Sequence, residues 1–157
     1  MPVVVRPVTR DDADTIAGFA MQLAEQHVGY DPRRFSLIGD RDGMANYYAG
    51  RAEAKNAAVL VAEDDGKVIG FAYFEFEPVL YAELAVKVAW LHDIYVDEAA
   101  RGSGAGKMLL DVAAVKAKRL GAKKMLLSVA AFNVAGKEFF ERNGFVTTMH
   151  EMMLVFD

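Results

Sequence analysis

The sequence predicts a single α/β domain of the α+β kind, built on a mixed, mostly antiparallel sheet. Two observations carry this. Residues 58–63 and 67–77 are β-rich runs joined across Asp64-Asp65-Gly66, the dipeptide signal of a hairpin. Residues 90–96, a glycine-rich turn, an amphipathic helix and a further run over 124–129 make a strand–helix–strand unit, whose two strands must be parallel.

Composition fits this class. The chain has 157 residues, enough for one domain over 1–157 with a single sizeable core. It is 54% hydrophobic and 25% charged, so it is neither disordered nor membrane-spanning; its apolar runs fall far short of the roughly 20 residues a spanning helix needs. A net charge of −4 argues against general nucleic-acid binding. With no cysteine, thiol nucleophiles, disulfides and Cys-based zinc sites are excluded. The opening MPVVVRPVTRDD shows no signal core, and a cytoplasmic protein is expected.

In chain order, 3–8 reads as an edge strand that tolerates Pro7. Thr9 and Asp12 form an approximate capping box for a helix whose stripe is Ile16, Phe19, Ala20, Leu23 and His27, stopped at Gly29. His27 at that helix end is read as a dipole partner or partly buried residue rather than a ligand. Asp31-Pro32 and Asp42-Gly43 mark an irregular stretch before a second helix over 43–55. In the second hairpin strand Gly70, Ala72, Phe74 and Phe76 face one way, and Ile69, Phe71, Tyr73, Glu75 and Glu77 the other. Residues 79–87 link to the central strand, and 146–149 with 152–156 are expected to close the sheet as an antiparallel pair.

The chemistry concentrates at 89–107, AWLHDIYVDEAARGSGAGK. Glycines there bring backbone N–H groups to the positive end of a helix, which makes a phosphate cradle. A Walker A loop is excluded, because Arg101 stands at its first glycine and Met108 at its hydroxyl position. A dinucleotide fingerprint fails at Lys107, and no acidic residue ends the strand over 125–129. The pattern [QR]-x-x-G-x-[GA] is met by Arg101, Gly104 and Gly106.

With HDIYV before this pattern and NVAGKEFFERNGF after it, the chain resembles the GNAT superfamily of acetyl-CoA-dependent N-acetyltransferases. That resemblance implies a sheet of about 6–7 strands with a splayed parallel pair in the middle, flanked by about four helices. It implies acetyl-CoA as co-substrate, with no metal. Arg101, Gly102, Ser103, Gly104, Ala105, Gly106 and Lys107 would hold the pyrophosphate, and Ile94, Tyr95 and Val96 the pantetheine arm. Val96 N–H would polarise the thioester, Asn133 would bond the arm, and Phe140 would lie near the sulfur. Phe140 stands where the family frequently has a proton-donating tyrosine; Tyr95, Tyr73, water or an unprotonated thiolate remain as substitutes.

For the base, His92 is the first choice, because simple alternation puts it on one strand face with Ile94 and Val96, and an ordinary imidazole pKa of about 6.5 suits the task. Asp93 points to the opposite face unless a bulge intervenes. Phe35, Tyr73 and Glu75 are candidates for the acceptor, with a solvated loop and a solvated strand end as their plainer readings. The expected activity is acetyl transfer to a primary amine of a small molecule, polyamine-, aminoglycoside- or amino-acid-like. Acetylation of a peptide N-terminus, a non-catalytic acyl-CoA-binding module and a nucleotide-binding regulator are the alternatives. Neither nucleic acid nor membrane is expected as a partner, and the apolar stretch 151–156 leaves a homodimer open.

Overall fold

The computed structural model describes residues 2–157. Five strands form one sheet in sequential order. They are β1 (Val4–Pro7), β2 (Ala57–Asp64), β3 (Lys67–Leu80), β4 (Ala85–Val96) and β5 (Lys124–Leu126). The first three junctions are antiparallel and β4–β5 is parallel. Four α-helices flank it: α1 (Ala13–Tyr30), α2 (Arg41–Glu53), α3 (Ala105–Leu120) and α4 (Val134–Arg142).

The sheet has apolar layers on both faces. On one, Leu60, Ala72, Phe74, Ala89 and Leu91 pack against Leu109, Leu110 and Ala113 of α3. On the other, Val59, Val61, Phe71, Tyr73 and Tyr95 pack against Ile16, Phe19 and Ala20 of α1 and Tyr48 of α2. Asp12 closes the approach to α1: its carboxylate accepts from Thr9 N–H (2.7 Å) and from both terminal nitrogens of Arg6 (2.8 and 3.0 Å). The Arg6 guanidinium holds that buried carboxyl below the ordinary range.

Several expectations are corrected. The sheet has five strands rather than 6–7, because 146–149 and 152–156 join no ladder; the C-terminal segment stays exposed. Helix α1 runs past Gly29 to Tyr30, and α2 begins at Arg41, capped by Asp40 accepting from Gly43 N–H at 2.7 Å. Strand β3 continues through Pro78 to Leu80, beyond the reach of β2, so the missing N–H breaks no β2 ladder bond.

Two bulges alter the face assignments. In the β2–β3 ladder Ala62 pairs with Gly70 and Glu63 with Val68, so Ile69 is the extra residue and packs on the Phe74 face, opposite to the expected one. In the β3–β4 ladder Tyr73 pairs with Asp93 but Phe74 with Leu91, which makes His92 the extra residue. Alternation resets there. His92 therefore does not share the face of Ile94 and Val96; it stacks on Tyr73 of the α1/α2 face (5.1 Å between centroids), beside Asp93.

Candidate active site

The site begins where the parallel pair comes apart. Strands β4 and β5 pair only at Val88–Lys124, Ala89–Met125 and Trp90–Leu126, and beyond that the two chains separate. Residues 127–129, expected as part of the strand, instead line the gap. A strand's N–H and C=O point to one edge and alternate along it. Asp97 N–H donates to Ile69 on the β3 side at 2.7 Å, so the amide groups of Val96 and Ile94 face the opened edge. The Val96 carbonyl accepts there from Arg101 Nε at 3.1 Å. The side chain of Tyr95 turns away, its O–H donating to Gln22 Oε1 at 2.6 Å.

The glycine turn sits at the head of this opening. Gly102 and Gly104 have φ of 86° and 85°, a region that a side chain disfavours. Gly104 starts α3 with no side-chain cap, so the first-turn amides of Gly106 and Lys107 lack intrahelical partners. A Cβ on Gly106 would sit 3.3 Å from the Phe139 ring, narrowing the floor of the turn. The hollow over these residues measures about 340 Å³, and Arg101, Lys107 and Arg142 line it. Lys107 is shared with Asp111 at 2.7 Å. Arg142 was missed by sequence reasoning. Nothing local distinguishes it, and only the return of α4 brings it to the turn. Bare amides, cations and an open strand edge suit a diphosphate with an amide-bearing arm.

A larger cavity of about 650 Å³ continues from the opened edge to the α1/α2 side. Ile94, Val96, Asn133, Phe139 and Phe140 line its first half. Asn133 caps α4, its Oδ1 accepting from Gly136 N–H at 2.9 Å, which leaves Nδ2 for another partner. Phe140 packs against Phe139 and Phe145 (5.2 and 5.5 Å). His27, Tyr30, Phe35, Tyr48, His92 and Asp93 line the second half. Tyr48 O–H donates to Asp93 Oδ2 at 2.7 Å. Burial raises the Asp93 carboxyl above its ordinary range, and the Tyr48 bond pulls it partly back. Burial and the neighbouring carboxylate hold the Tyr48 phenol protonated. Tyr48 too was unforeseen; its signal was an aromatic in a helix otherwise short of apolar residues.

Tyr73 and Glu75 lie elsewhere. Tyr73 is fully buried and donates to Glu75, and Glu75 is ion-paired with Arg51 at 2.9 Å. Neither lines the cavity. Phe35 does, edge-on to His27 at 5.0 Å between centroids.

The model of the acetyltransferase (GNAT) family matches residues 21–145, which hold the glycine turn, the splayed strands and the cavity walls. The chain belongs to the GNAT family. A curated relative in Bacillus subtilis (strain 168), the uncharacterized N-acetyltransferase YhfO, is 30% identical over 141 residues, covering 90% of this chain and 88% of its own. Among solved structures, a mutant of the BH1408 protein from Bacillus halodurans superposes with a TM-score of 0.83 at 21% identity, over 98% of this chain and 99% of that one. The aminoglycoside N-acetyltransferase AAC(6')-Iy in complex with CoA does so with 0.80 at 19% identity, over 98% and 93%. At those identities the structural likeness shows the fold. The present GNAT protein is thus an N-acetyltransferase. No helix among the described residues is long and apolar enough to cross a membrane.

Proposed function

We propose that this acetyltransferase moves the acetyl group of acetyl-CoA to the primary amine of a small molecule, by direct attack in a ternary complex. The carrying observation is the cavity itself: it joins the opened β4 edge to the Asp93 pocket without a break. The pyrophosphate would rest on the amides of 102–107 with Arg101 and Arg142 beside it. The pantetheine amides would pair with Ile94 and Val96, and Asn133 Nδ2 would add a donor. Val96 N–H, free of the β3 ladder, is the oxyanion donor.

Asp93 is the proposed base. The acceptor nitrogen loses two protons in all. The Asp93 carboxylate takes one from the ammonium, and the freed lone pair attacks the carbonyl carbon. The second proton leaves the nitrogen for solvent as the amide forms, and the C–S bond breaks to release the thiolate of coenzyme A. His92, exposed beside Asp93, passes the proton to solvent. Phe140 has no proton to give, and the O–H groups of Tyr95 and Tyr73 are committed to Gln22 and Glu75. The thiolate therefore departs unprotonated, which a thiol pKa near 8.5 allows. Purified protein with acetyl-CoA should release thiol in proportion to added primary amine. Binding of acetyl-CoA without amine-dependent release would reject this reading. A cytoplasmic setting is the expectation that goes with it.

A homodimer belongs to the same proposal. Val146, Met152 and Phe156 are 79%, 92% and 86% exposed, in a segment of alternating β-formers that no strand of its own chain covers. The outer edge of β5 is likewise unpaired. The C-terminal segment of a second copy suits that edge, with each chain supplying one strand to the other. Light scattering at micromolar concentration should give twice the chain mass; the mass of a single chain would reject the pairing.

A further inference from the structure

The acceptor half of the cavity holds a single carboxylate. Besides Asp93 its walls are apolar or neutral, with Leu23 and Ala24 from α1, Phe35 from the following loop and Met44 from α2. Carboxylates on the elements that build this half and on the C-terminal segment are largely matched outside it. Asp31 is ion-paired with Arg33 at 3.0 Å, Glu151 with Arg34, and Asp14 with Arg41 at 2.7 Å, while Asp40 caps α2. Glu75 is held by Arg51 outside the cavity. One ammonium can therefore be compensated inside this half. A second or third, as in a polyamine or aminoglycoside, would lie against Leu23, Phe35 or Met44 with no counter-charge, a costly arrangement in a partly desolvated site.

His27 completes the geometry. Its Nδ1 lies 2.8 Å from the Leu23 carbonyl oxygen. A carbonyl only accepts, so the neutral ring carries its proton on Nδ1 and presents Nε2 as a bare acceptor, with no partner among the described residues. Tyr30 and Phe35 pack edge-on against the ring at 5.6 and 5.0 Å and fix its plane. His27 and Asp93 line the same half of the cavity.

We infer that the acceptor is an amine with one positive charge on an apolar, ring-sized body, its nitrogen held between Asp93 and Nε2 of His27 and its body against Phe35 and Met44. This rests on the acetyl-transfer reading above. It narrows that reading away from polyamines and aminoglycosides.

The test is thiol release from acetyl-CoA by the wild-type protein with 2-phenylethylamine, spermidine and kanamycin. The expected kcat/KM for 2-phenylethylamine is at least tenfold above the other two. Met44→Glu, which adds a second carboxylate, should shrink that ratio by lowering KM for spermidine, and His27→Phe should raise KM for 2-phenylethylamine while KM for acetyl-CoA stays in place. Equal or better turnover of spermidine or kanamycin overturns the inference and leaves acetyl transfer to amines standing. No release with any amine, from protein that binds acetyl-CoA by calorimetry, overturns the acetyl-transfer reading together with the inference.

Discussion

The two halves of the cavity are built by different means. The half proposed for the cofactor is made of backbone: amides of a glycine turn, the bare edge of β4 and the start of α3. The half proposed for the acceptor is made of side chains from α1, α2 and the loop between them, set against a bulged residue pair. Backbone recognition needs particular residues at fixed spacing. Side-chain walls need only volume and polarity, which many sequences supply. A chain can therefore keep one half while changing what the other accepts.

The sharpest way to break this comparison is at Asp93. Asp93→Asn should lower kcat by on the order of 10²–10⁴-fold, with acetyl-CoA affinity unchanged by calorimetry. A matching loss of acetyl-CoA affinity would mean that the halves are not separate. On the other side, Gly104→Val forces a β-branched residue to a φ of 85°. Relief of that strain, roughly 1–3 kcal/mol, shifts the turn and should weaken acetyl-CoA binding about 10- to 100-fold, with melting only a few degrees below the wild type.

A pH profile sharpens the acceptor half. With Asp93 as the proposed base, activity requires its ionised form, so kcat/KM should rise with pH through a carboxyl raised by burial. Tyr48→Phe removes the bond that favours the charged form. The acidic limb should then move to higher pH, whereas a shift downward would exclude Asp93 as the titrating base.

The smallest expected effect lies in neither half. Arg6→Ala leaves the buried Asp12 without its cation and should cost about 1–3 kcal/mol of stability, with little change in kcat or acetyl-CoA affinity. The Asp12 carboxyl is depressed in the folded state. Its contribution is therefore present above the unfolded carboxyl pKa of about 3.9 and fades as pH falls through the lower folded value. Acid unfolding of Arg6→Ala and the wild type should converge at that end.

The same contrast decides what was legible in the sequence. The glycine turn, the hairpin at Asp65-Gly66 and the parallel pair were read correctly, since each depends on local spacing. The faces of Ile69 and His92 were not, because one extra residue in a ladder inverts alternation without any mark of its own. Glu75 looked free for an amine until folding brought Arg51 to it. Arg142, Tyr48 and the role of His27 depend on helices meeting across the sheet. The C-terminal runs at 146–149 and 152–156 have the composition of strands, yet they join no ladder, although the outer edge of β5 is unpaired.

The most direct test crosses the two halves in one set of measurements: acetyl-CoA calorimetry and amine-dependent thiol release for wild type, Gly104→Val and Asp93→Asn. The expected pattern is weakened binding in the glycine variant, and wild-type binding with strongly reduced turnover in the aspartate variant. Wild-type binding by Gly104→Val, or wild-type turnover by Asp93→Asn, would contradict a backbone cradle joined to a carboxylate-based acceptor pocket.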